Sequence, residues 1–230
     1  MSIKSFSAKL FAKYIAGKTQ KWSANPVATQ DAVFQYLIKK GAKAKFGKDH
    51  NFENIKTAAD FAKAVPVRDY EALKDYVEEA VAGKEDILWP GKPEYFAKTS
   101  GTTSGAKYIP ITKESMPMHV NAARDAILHY IAESGNSSFV DGKMIFLQGS
   151  PKLQIKNGIK TGRLSGIVAH YVPGYLQKNR MPSWETNCIE DWETKVDAIV
   201  DETLLENMTV ISGIPSWVQM YFEKLQQKTG

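Results

Sequence analysis

A loop of glycine and hydroxyl residues lies near the middle of the chain, within the segment FAKTSGTTSGAKYIPIT (residues 96–112). It contains Gly101 and Gly105, and five hydroxyl residues precede Lys107. Bare amides and hydroxyls in a flexible loop can bind phosphate oxygens, and a lysine can balance their charge. The composition therefore indicates a phosphate-binding loop, although the same residues also suit a plain turn between two strands.

Two common phosphate-binding motifs do not fit this loop. Counted from Gly101, the P-loop of nucleoside triphosphatases requires a second glycine where Ala106 stands and a serine or threonine where Tyr108 stands. The dinucleotide-binding motif requires its second glycine where Thr103 stands. The loop therefore belongs to a different class of phosphate-binding site.

The loop resembles the first motif of the adenylate-forming enzymes, Ser/Thr-Ser-Gly-Ser/Thr-Thr-Gly-x-Pro-Lys. The residues that match this motif without a gap are Thr99, Ser100, Gly101, Thr102, Thr103 and Lys107. Ser104 replaces the last glycine of the motif, and Gly105 with Ala106 replaces x-Pro. This variant, followed by Tyr-Ile-Pro-Ile-Thr, resembles the auxin-responsive acyl-acid amido synthetases of the Gretchen Hagen family, and their bacterial members in particular.

The resemblance to this family extends over nearly the whole chain. It is carried by FGKDHNF (46–52), VPVRDYEAL (65–73), DILWPGKPEYFAKTSGTTSGAKYIPIT (86–112), GRLSGIVAHYVP (162–173) and ISGIPSW (211–217). It implies an ATP-dependent ligase with two steps. The enzyme would convert a small carboxylic acid into an acyl-adenylate, and would then join the acyl group to an amino acid as an amide. ATP and Mg²⁺ are the implied cofactors.

The resemblance also implies roles for the loop residues. The nucleotide would be bound by Thr99, Ser100, Gly101, Thr102, Thr103, Ser104 and Gly105. Lys107 would act catalytically by pairing with the phosphates, and no metal ligand is assigned in this chain. Because members of the family are considerably longer, we interpret the chain as the N-terminal portion of such an enzyme, inactive alone and without the mobile C-terminal domain. The alternative is a non-catalytic nucleotide-binding or assembly module.

Arg124 is the candidate for binding the carboxylate of the acid substrate. It lies on the helix predicted after the loop, and a guanidinium can form two parallel hydrogen bonds with a carboxylate. Arginines on helices are also common at protein surfaces without any ligand. Both interpretations of Arg124 remain open from the sequence.

The elements around the loop predict an α/β fold, in which a helical N-terminal segment precedes a mainly parallel sheet flanked by helices. This fold would form part of the large N-terminal domain of an adenylate-forming enzyme. In the helical segment, residues 1–90, helices are indicated by apolar residues at helical spacing and by caps. These residues are Ile3, Phe6, Leu10 and Tyr14 for the first helix, Thr57 with Asp60 for the cap of a later helix, and Asp69 for the start of the helix after it.

The α/β part, residues 91–230, carries the loop. Its predicted strands are EYFAKT before the loop, YIPIT after it and KMIFLQ (143–148), and MTVISGIPSW (208–217) is predicted to be a strand that turns into a final helix. Thr112 is predicted to cap a helix that runs to about Glu133. The segment DWETKVDAIVDETLLEN is predicted to form an amphipathic helix, and a final helix follows the last strand.

Composition and charge limit the location and the partners of the protein. The single cysteine, Cys188, and the absence of a signal-peptide pattern predict a cytoplasmic protein. No apolar run approaches the roughly 20 residues that span a bilayer, so no membrane partner is predicted. Residues 1–50 hold ten lysines and two aspartates, but no arginine, which favours a solvated helical face over nucleic-acid binding. The oligomeric state is left open.

Overall fold

The computed structural model describes residues 2–99 and 105–230. The helices in these residues are α1 (Ile3–Ser23), α2 (Pro26–Gly41), α3 (Lys45–Asp49), α4 (Ala58–Ala64), α5 (Tyr70–Val81), α6 (Met116–Ser134), α7 (Leu164–Ala169), α8 (Gly174–Gln177), α9 (Trp184–Asn187), α10 (Trp192–Thr203) and α11 (Pro215–Thr229). The strands are β1 (Tyr95–Thr99), β2 (Lys107–Ile111), β3 (Lys143–Phe146), β4 (Gln154–Lys156), β5 (Ile159–Gly162), β6 (Arg180–Met181) and β7 (Met208–Ser212). Short 3-10 helices lie at Phe52–Asn54 and Ser138–Asp141.

Helix α1 is confirmed, but its predicted apolar stripe is not the face that packs. Ile3 and Tyr14 of this stripe are 87% and 61% exposed. The packed face is made by Ala12 and Ile15, which join a hydrophobic cluster with apolar residues of α6. The 3.6-residue spacing thus identifies the helix without deciding which face is buried.

Side-chain caps begin helices α4 and α5 where the sequence predicts. The Thr57 hydroxyl accepts a hydrogen bond from the backbone N–H of Asp60 (3.1 Å), and the Asp60 carboxylate accepts one from the N–H of Thr57 (2.9 Å). Asp69 caps α5 by accepting a hydrogen bond from the N–H of Ala72 at 2.9 Å. Both caps satisfy N–H groups that have no partner inside the helix.

The predicted start of helix α6 at Thr112 is wrong. Thr112 and Ser115 instead close a turn, because each backbone N–H donates to the hydroxyl of the other residue, at 3.0 and 3.1 Å. The helix begins after this turn, at Met116, and ends at Ser134, close to the predicted end. The hydroxyl of Thr112 therefore serves a turn that precedes the helix.

The chain divides into two compact units. Unit 1 consists of the residues up to Gly17, Val120–Lys152 and Arg163–Gly230. Unit 2 consists of Lys18–His119 and Leu153–Gly162. Each unit therefore combines segments from both sides of residue 90, and the predicted domain division at that residue stays a prediction.

The sheet of unit 1 is parallel, with the strand order β6-β3-β7. Helices α10 and α11 pack with β3 in one hydrophobic cluster. The buried members of this cluster are Ile145, Leu147, Val196, Ile199, Val200 and Tyr221. The carboxyl end of β3, at Leu147 and Gln148, thus lies beside the buried face of α10.

The sheet of unit 2 has the order β2-β1-β5-β4. Strand β1 pairs antiparallel with β2 and parallel with β5, and β4 pairs antiparallel with β5. Helix α5 packs on this sheet through a cluster that includes Val77, Ala80, Phe96 and Ile159. Helix α5 and strand β5 thus support the β1–β2 hairpin, which carries the predicted phosphate loop.

The predicted α/β fold class is confirmed, with parallel pairing in both sheets. The single, mainly parallel sheet that the sequence predicts is instead two sheets, and the sheet of unit 2 contains two antiparallel pairs, β1–β2 and β4–β5. Strands β1 and β2 can pair as a hairpin because a short loop joins them, whereas parallel neighbours need a crossover. In the part of the chain that the structure describes, no helix is both long enough and apolar enough to cross a membrane.

Candidate functional site

Strands β1 and β2 form the hairpin that carries the predicted phosphate loop. Their antiparallel register ends with Thr99 opposite Lys107, where the hairpin opens into the loop. The predicted nucleotide-binding residues Ser100, Gly101, Thr102, Thr103 and Ser104 lie outside the described residues. The structure therefore shows the two strand ends from which the loop departs.

Gly105 forms the described end of the loop. Its φ is +81°, in the left-handed region that residues with a side chain rarely adopt. Among the described residues, no atom lies within 4 Å of the position that a Cβ would occupy. The backbone conformation, rather than the space around it, therefore favours glycine at this position.

Lys107 is half-buried and holds its ammonium against an aromatic ring. Its Nζ lies 5.2 Å from the ring centroid of Tyr70, which begins helix α5. The Tyr70 hydroxyl also accepts a hydrogen bond from the backbone N–H of Tyr108, at 2.9 Å. Tyr70 thus anchors the start of β2 and attracts the cation by a cation–π interaction. Lys107 is in position to place a positive charge beside the loop.

Further lysines lie on tyrosine rings of the same sheet. Lys156 of β4 has its Nζ 4.4 Å from the ring centroid of Tyr108 and 3.3 Å from the Tyr108 hydroxyl. Lys160 of β5 lies 5.7 Å from the ring centroid of Tyr95. None of the ion pairs that the described residues form includes Lys156 or Lys160. The tyrosine rings stabilise these two cations by cation–π interactions. The sheet that carries the loop is positively charged.

The parallel strands β1 and β5 end at one edge of this sheet. Ala97 of β1 lies opposite Gly162, the last residue of β5. Parallel strands place their carboxyl ends together, and α/β proteins commonly bind ligands at such an edge. The loop therefore emerges at an edge that suits an anionic ligand.

Arg124 lies on α6 in unit 1, whereas Thr99 and Lys107 belong to unit 2. Its Nε and Nη2 contact the Oδ1 atom of Asp125 at 2.7 and 2.6 Å. Its guanidinium carbon lies 5.4 Å from the ring centroid of Phe11. The guanidinium is thus already paired with a neighbouring carboxylate, and its role in substrate binding stays a prediction.

Comparison with known proteins decides the family. The sequence matches the profile of the GH3 family N-terminal domain over residues 16–228. The chain belongs to the GH3 family. The family resemblance inferred from the loop and its flanking segments is thereby confirmed.

Solved structures share the fold of the GH3 chain. One is "AtGH3.15 acyl acid amido synthetase in complex with 2,4-DB", with a TM-score of 0.76 and 18% identity over 94% of this chain. Another is "GH3.15 acyl acid amido synthetase", with a TM-score of 0.71 and 16% identity over 92% of this chain. The GH3 chain spans 38% of the length of each. No protein with a curated description matches the sequence.

The GH3 chain buries a lysine that the sequence-based prediction missed. Lys195 of α10 is 1% exposed, and its ammonium donates to the backbone carbonyls of Asn187 (2.6 Å) and Gln148 (3.0 Å). Burial lowers the pKa of Lys195 to about 8. Two weaker electrostatic effects act on the same pKa: Cys188 raises it, and the positive charge of Arg163 lowers it further.

The position of Lys195 in its helix was a usable signal. Lys195 precedes Val196 and lies one helical turn before Ile199, and both of these residues are fully buried. Residues separated by four positions share a helix face. A lysine within the apolar stripe of an amphipathic helix is therefore a candidate for burial.

Within residues 2–99 and 105–230, no three histidine, cysteine, aspartate or glutamate residues are grouped so that they can hold a metal ion. The described part of the GH3 chain therefore provides no protein cage for a cation.

Proposed function

We propose that the chain is the N-terminal portion of an ATP-dependent ligase that activates a small carboxylic acid as an acyl-adenylate and joins it to an amino acid as an amide. Membership of the GH3 family supports this proposal. The two solved proteins that share the fold are described as acyl acid amido synthetases, and one was solved in complex with 2,4-DB.

The observation that carries the proposal is the hairpin with its glycine- and hydroxyl-rich loop. Thr99 and Lys107 close the hairpin, and the loop between them contains several hydroxyls and bare amides. Such groups can surround the β- and γ-phosphates of ATP. Lys107 would offset part of their negative charge, and Tyr70 would restrict the directions in which this lysine can point.

The chemistry comprises two displacements. A carboxylate oxygen of the acid attacks the α-phosphorus of ATP, and the bond to pyrophosphate breaks, which leaves an acyl-adenylate. The amine of the amino acid then attacks the acyl carbon, loses a proton and expels AMP, which leaves an amide. AMP is a far better leaving group than the oxygen of a free carboxylate, so the acid must be activated first. The contribution of Lys107 is charge stabilisation on the phosphates that depart.

Magnesium is the second implied cofactor, and the described residues do not fit a protein-bound Mg²⁺ ion. They provide no cluster of carboxylates for it. The phosphates of ATP are the usual remaining ligands of Mg²⁺.

The proposal is tested by nucleotide binding and by pyrophosphate exchange. We expect the 230-residue chain to bind ATP, as measured by isothermal titration calorimetry. Because the chain spans 38% of the solved proteins, we expect exchange of labelled pyrophosphate into ATP only from a longer product of the gene. An antibody to this chain would measure the mass of that product in source cells. ATP binding without exchange by the native product would favour the non-catalytic module, and no ATP binding would contradict both functions.

Lys107→Ala should weaken ATP binding by the chain about tenfold, or ~1.4 kcal/mol, because a positive charge beside the phosphates is lost. Lys107→Arg keeps a charge that can lie on the Tyr70 ring, and should retain most of the affinity. Lys113→Ala removes one positive charge from the turn before α6 and controls for the change in net charge. Equal affinities for Lys107→Ala and Lys113→Ala would remove Lys107 from the nucleotide site.

A further inference from the structure

Two cationic side chains flank the backbone at the carboxyl end of strand β3. The Lys195 ammonium lies 3.0 Å from the carbonyl oxygen of Gln148. The Arg163 side chain covers the next residue, since a methyl group built on Gly149 would lie 2.6 Å from Arg163 Cδ and 2.9 Å from its Nη1. The ammonium and the guanidinium therefore lie on neighbouring residues of one short segment.

No carboxylate balances these two charges. Among the ion pairs that the described residues form, none includes Lys195 or Arg163. Lys195 is almost wholly buried, and its hydrogen bonds go to two neutral carbonyls. A buried charge without a counterion is unfavourable by several kcal/mol. This cost applies to Lys195, whereas Arg163 is exposed and its guanidinium is open to a ligand from solvent. An anion that binds Arg163 here would also offset the charge of Lys195.

Two residues that contact Lys195 also carry buried polar atoms without a partner among the described residues, and a third such atom belongs to Trp192, which packs against the hydrophobic cluster of β3 and α10. Gln148 Nε2, Asn187 Oδ1 and Trp192 Nε1 are buried and form no hydrogen bond. Gln148 and Asn187 are also the residues whose carbonyls hold Lys195, and Asn187 is 2% exposed. Buried polar groups in folded proteins nearly always have a partner, so unpaired ones indicate a ligand or an ordered water. Gln148 Nε2 is a hydrogen-bond donor at the end of β3, which suits an acceptor ligand there.

The topology of the sheet places this segment where ligands bind. Strand β3 lies between β6 and β7, so the chain passes from β3 to β6 on one side and later to β7 on the other side. The crevice outside the carboxyl ends of strands at such a reversal is the usual ligand site of open parallel sheets. Gln148 and Gly149 lie at that end of β3.

We propose that unit 1 binds a small oxyanion, a carboxylate or a phosphate, at the carboxyl end of β3, through the Arg163 guanidinium and the Gln148 side-chain amide. The guanidinium presents paired N–H groups that match either anion. Lys195 acts as a positioning residue, because its ammonium holds the Gln148 carbonyl and makes the electrostatic potential at the site more positive. The proposal goes beyond the ligase function, and its test contains no ATP.

The test follows the titration of Lys195 in the 230-residue chain by NMR of its ¹³C-labelled Cε. Sodium benzoate supplies a carboxylate, and sodium pyrophosphate supplies a phosphate, each compared with sodium chloride at equal ionic strength. We expect at least one oxyanion to increase the proton affinity of Lys195 about tenfold, because a nearby negative charge favours the ammonium. A response to benzoate alone identifies a carboxylate site, and a response to pyrophosphate alone identifies a phosphate site.

Arg163→Gln should increase the oxyanion concentration needed for this response at least about tenfold. Arg68→Gln is the matched control, because Arg68 bonds to the His50 ring in unit 2 and should leave the response unchanged. If Arg163→Gln loses the folded spectrum, Arg163→Lys takes its place and should bind more weakly than the natural chain. The site is refuted if neither oxyanion affects Lys195, or if the Arg163 variant responds as the natural chain does.

Discussion

Replacing Lys195 with methionine should remove a rise in stability of about 3 kcal/mol between pH 8 and pH 10.5. The pKa of Lys195 is about 8 in the folded chain and 10.5 in the reference state, so the unfolded chain binds more protons in this window. The contribution of Lys195 to the stability of the natural chain therefore increases with pH across the window. Below pH 8 the charged ammonium is present in both states, and the cost of burying it is felt in full.

The measurement is urea-induced unfolding of both chains at several pH values from 7 to 11. At each pH, the free energy of unfolding of Lys195→Met is subtracted from that of the natural chain. This difference should increase by about 3 kcal/mol as the pH rises from 8 to 10.5. Val196→Ala is the matched control, because it alters the next buried position of α10 without removing a titratable group. Its difference from the natural chain should not depend on pH. Parallel pH curves for the natural and methionine chains would contradict the burial of a charged Lys195.

Gly47→Ala should destabilise the chain by about 3 kcal/mol. Gly47 lies in helix α3, where it packs against the end of α2. A methyl group at this position would collide with the carbonyl oxygen of Gly41, and would lie 2.6 Å from the Gly41 carbonyl carbon and 2.9 Å from Ala42 Cα. These are backbone atoms, so no side-chain rotation can relieve the contact, and the two helices must separate.

Gly17→Ala is the matched control for this change. Gly17 lies within α1, and no atom lies within 4 Å of the position that its Cβ would take. Alanine is the better helix former, so this variant should gain up to about 1 kcal/mol of stability. Both variants are compared by urea unfolding with equal m-values. A Gly47→Ala chain as stable as the Gly17→Ala chain would show that α2 and α3 are not in close contact.

Local patterns predicted much of the fold because their signals lie within a few residues. The segments EYFAKT, KMIFLQ and MTVISGIPSW contain the strands β1, β3 and β7, and YIPIT overlaps β2, which begins one residue earlier, at Lys107. Thr57 and Asp69 begin helices because their side chains reach N–H groups three residues ahead. The Thr112 hydroxyl also accepts from an N–H three residues ahead, that of Ser115, but the residues between them form a turn and α6 begins only at Met116. A cap-like side chain therefore does not by itself fix where the helix begins.

The candidate phosphate loop was also predicted from short-range information. Its residue types and spacing suffice to exclude the P-loop and the dinucleotide motif, and the family match supports the remaining interpretation. The hairpin register then places Thr99 opposite Lys107 at the mouth of the loop. The contact of Lys107 with Tyr70 was not predictable, because α5 approaches β2 only in the folded chain.

The sequence by itself determined the family, the α/β class, the loop and most strand and helix positions. Tertiary structure alone decided that β1 pairs with β5, that α1 packs through Ala12 and Ile15, and that Lys195 meets Gln148. Propensity, capping and periodicity act over one or two turns of chain. Pairing, burial and the pKa of a buried lysine depend on contacts between residues far apart in sequence, which no local pattern records.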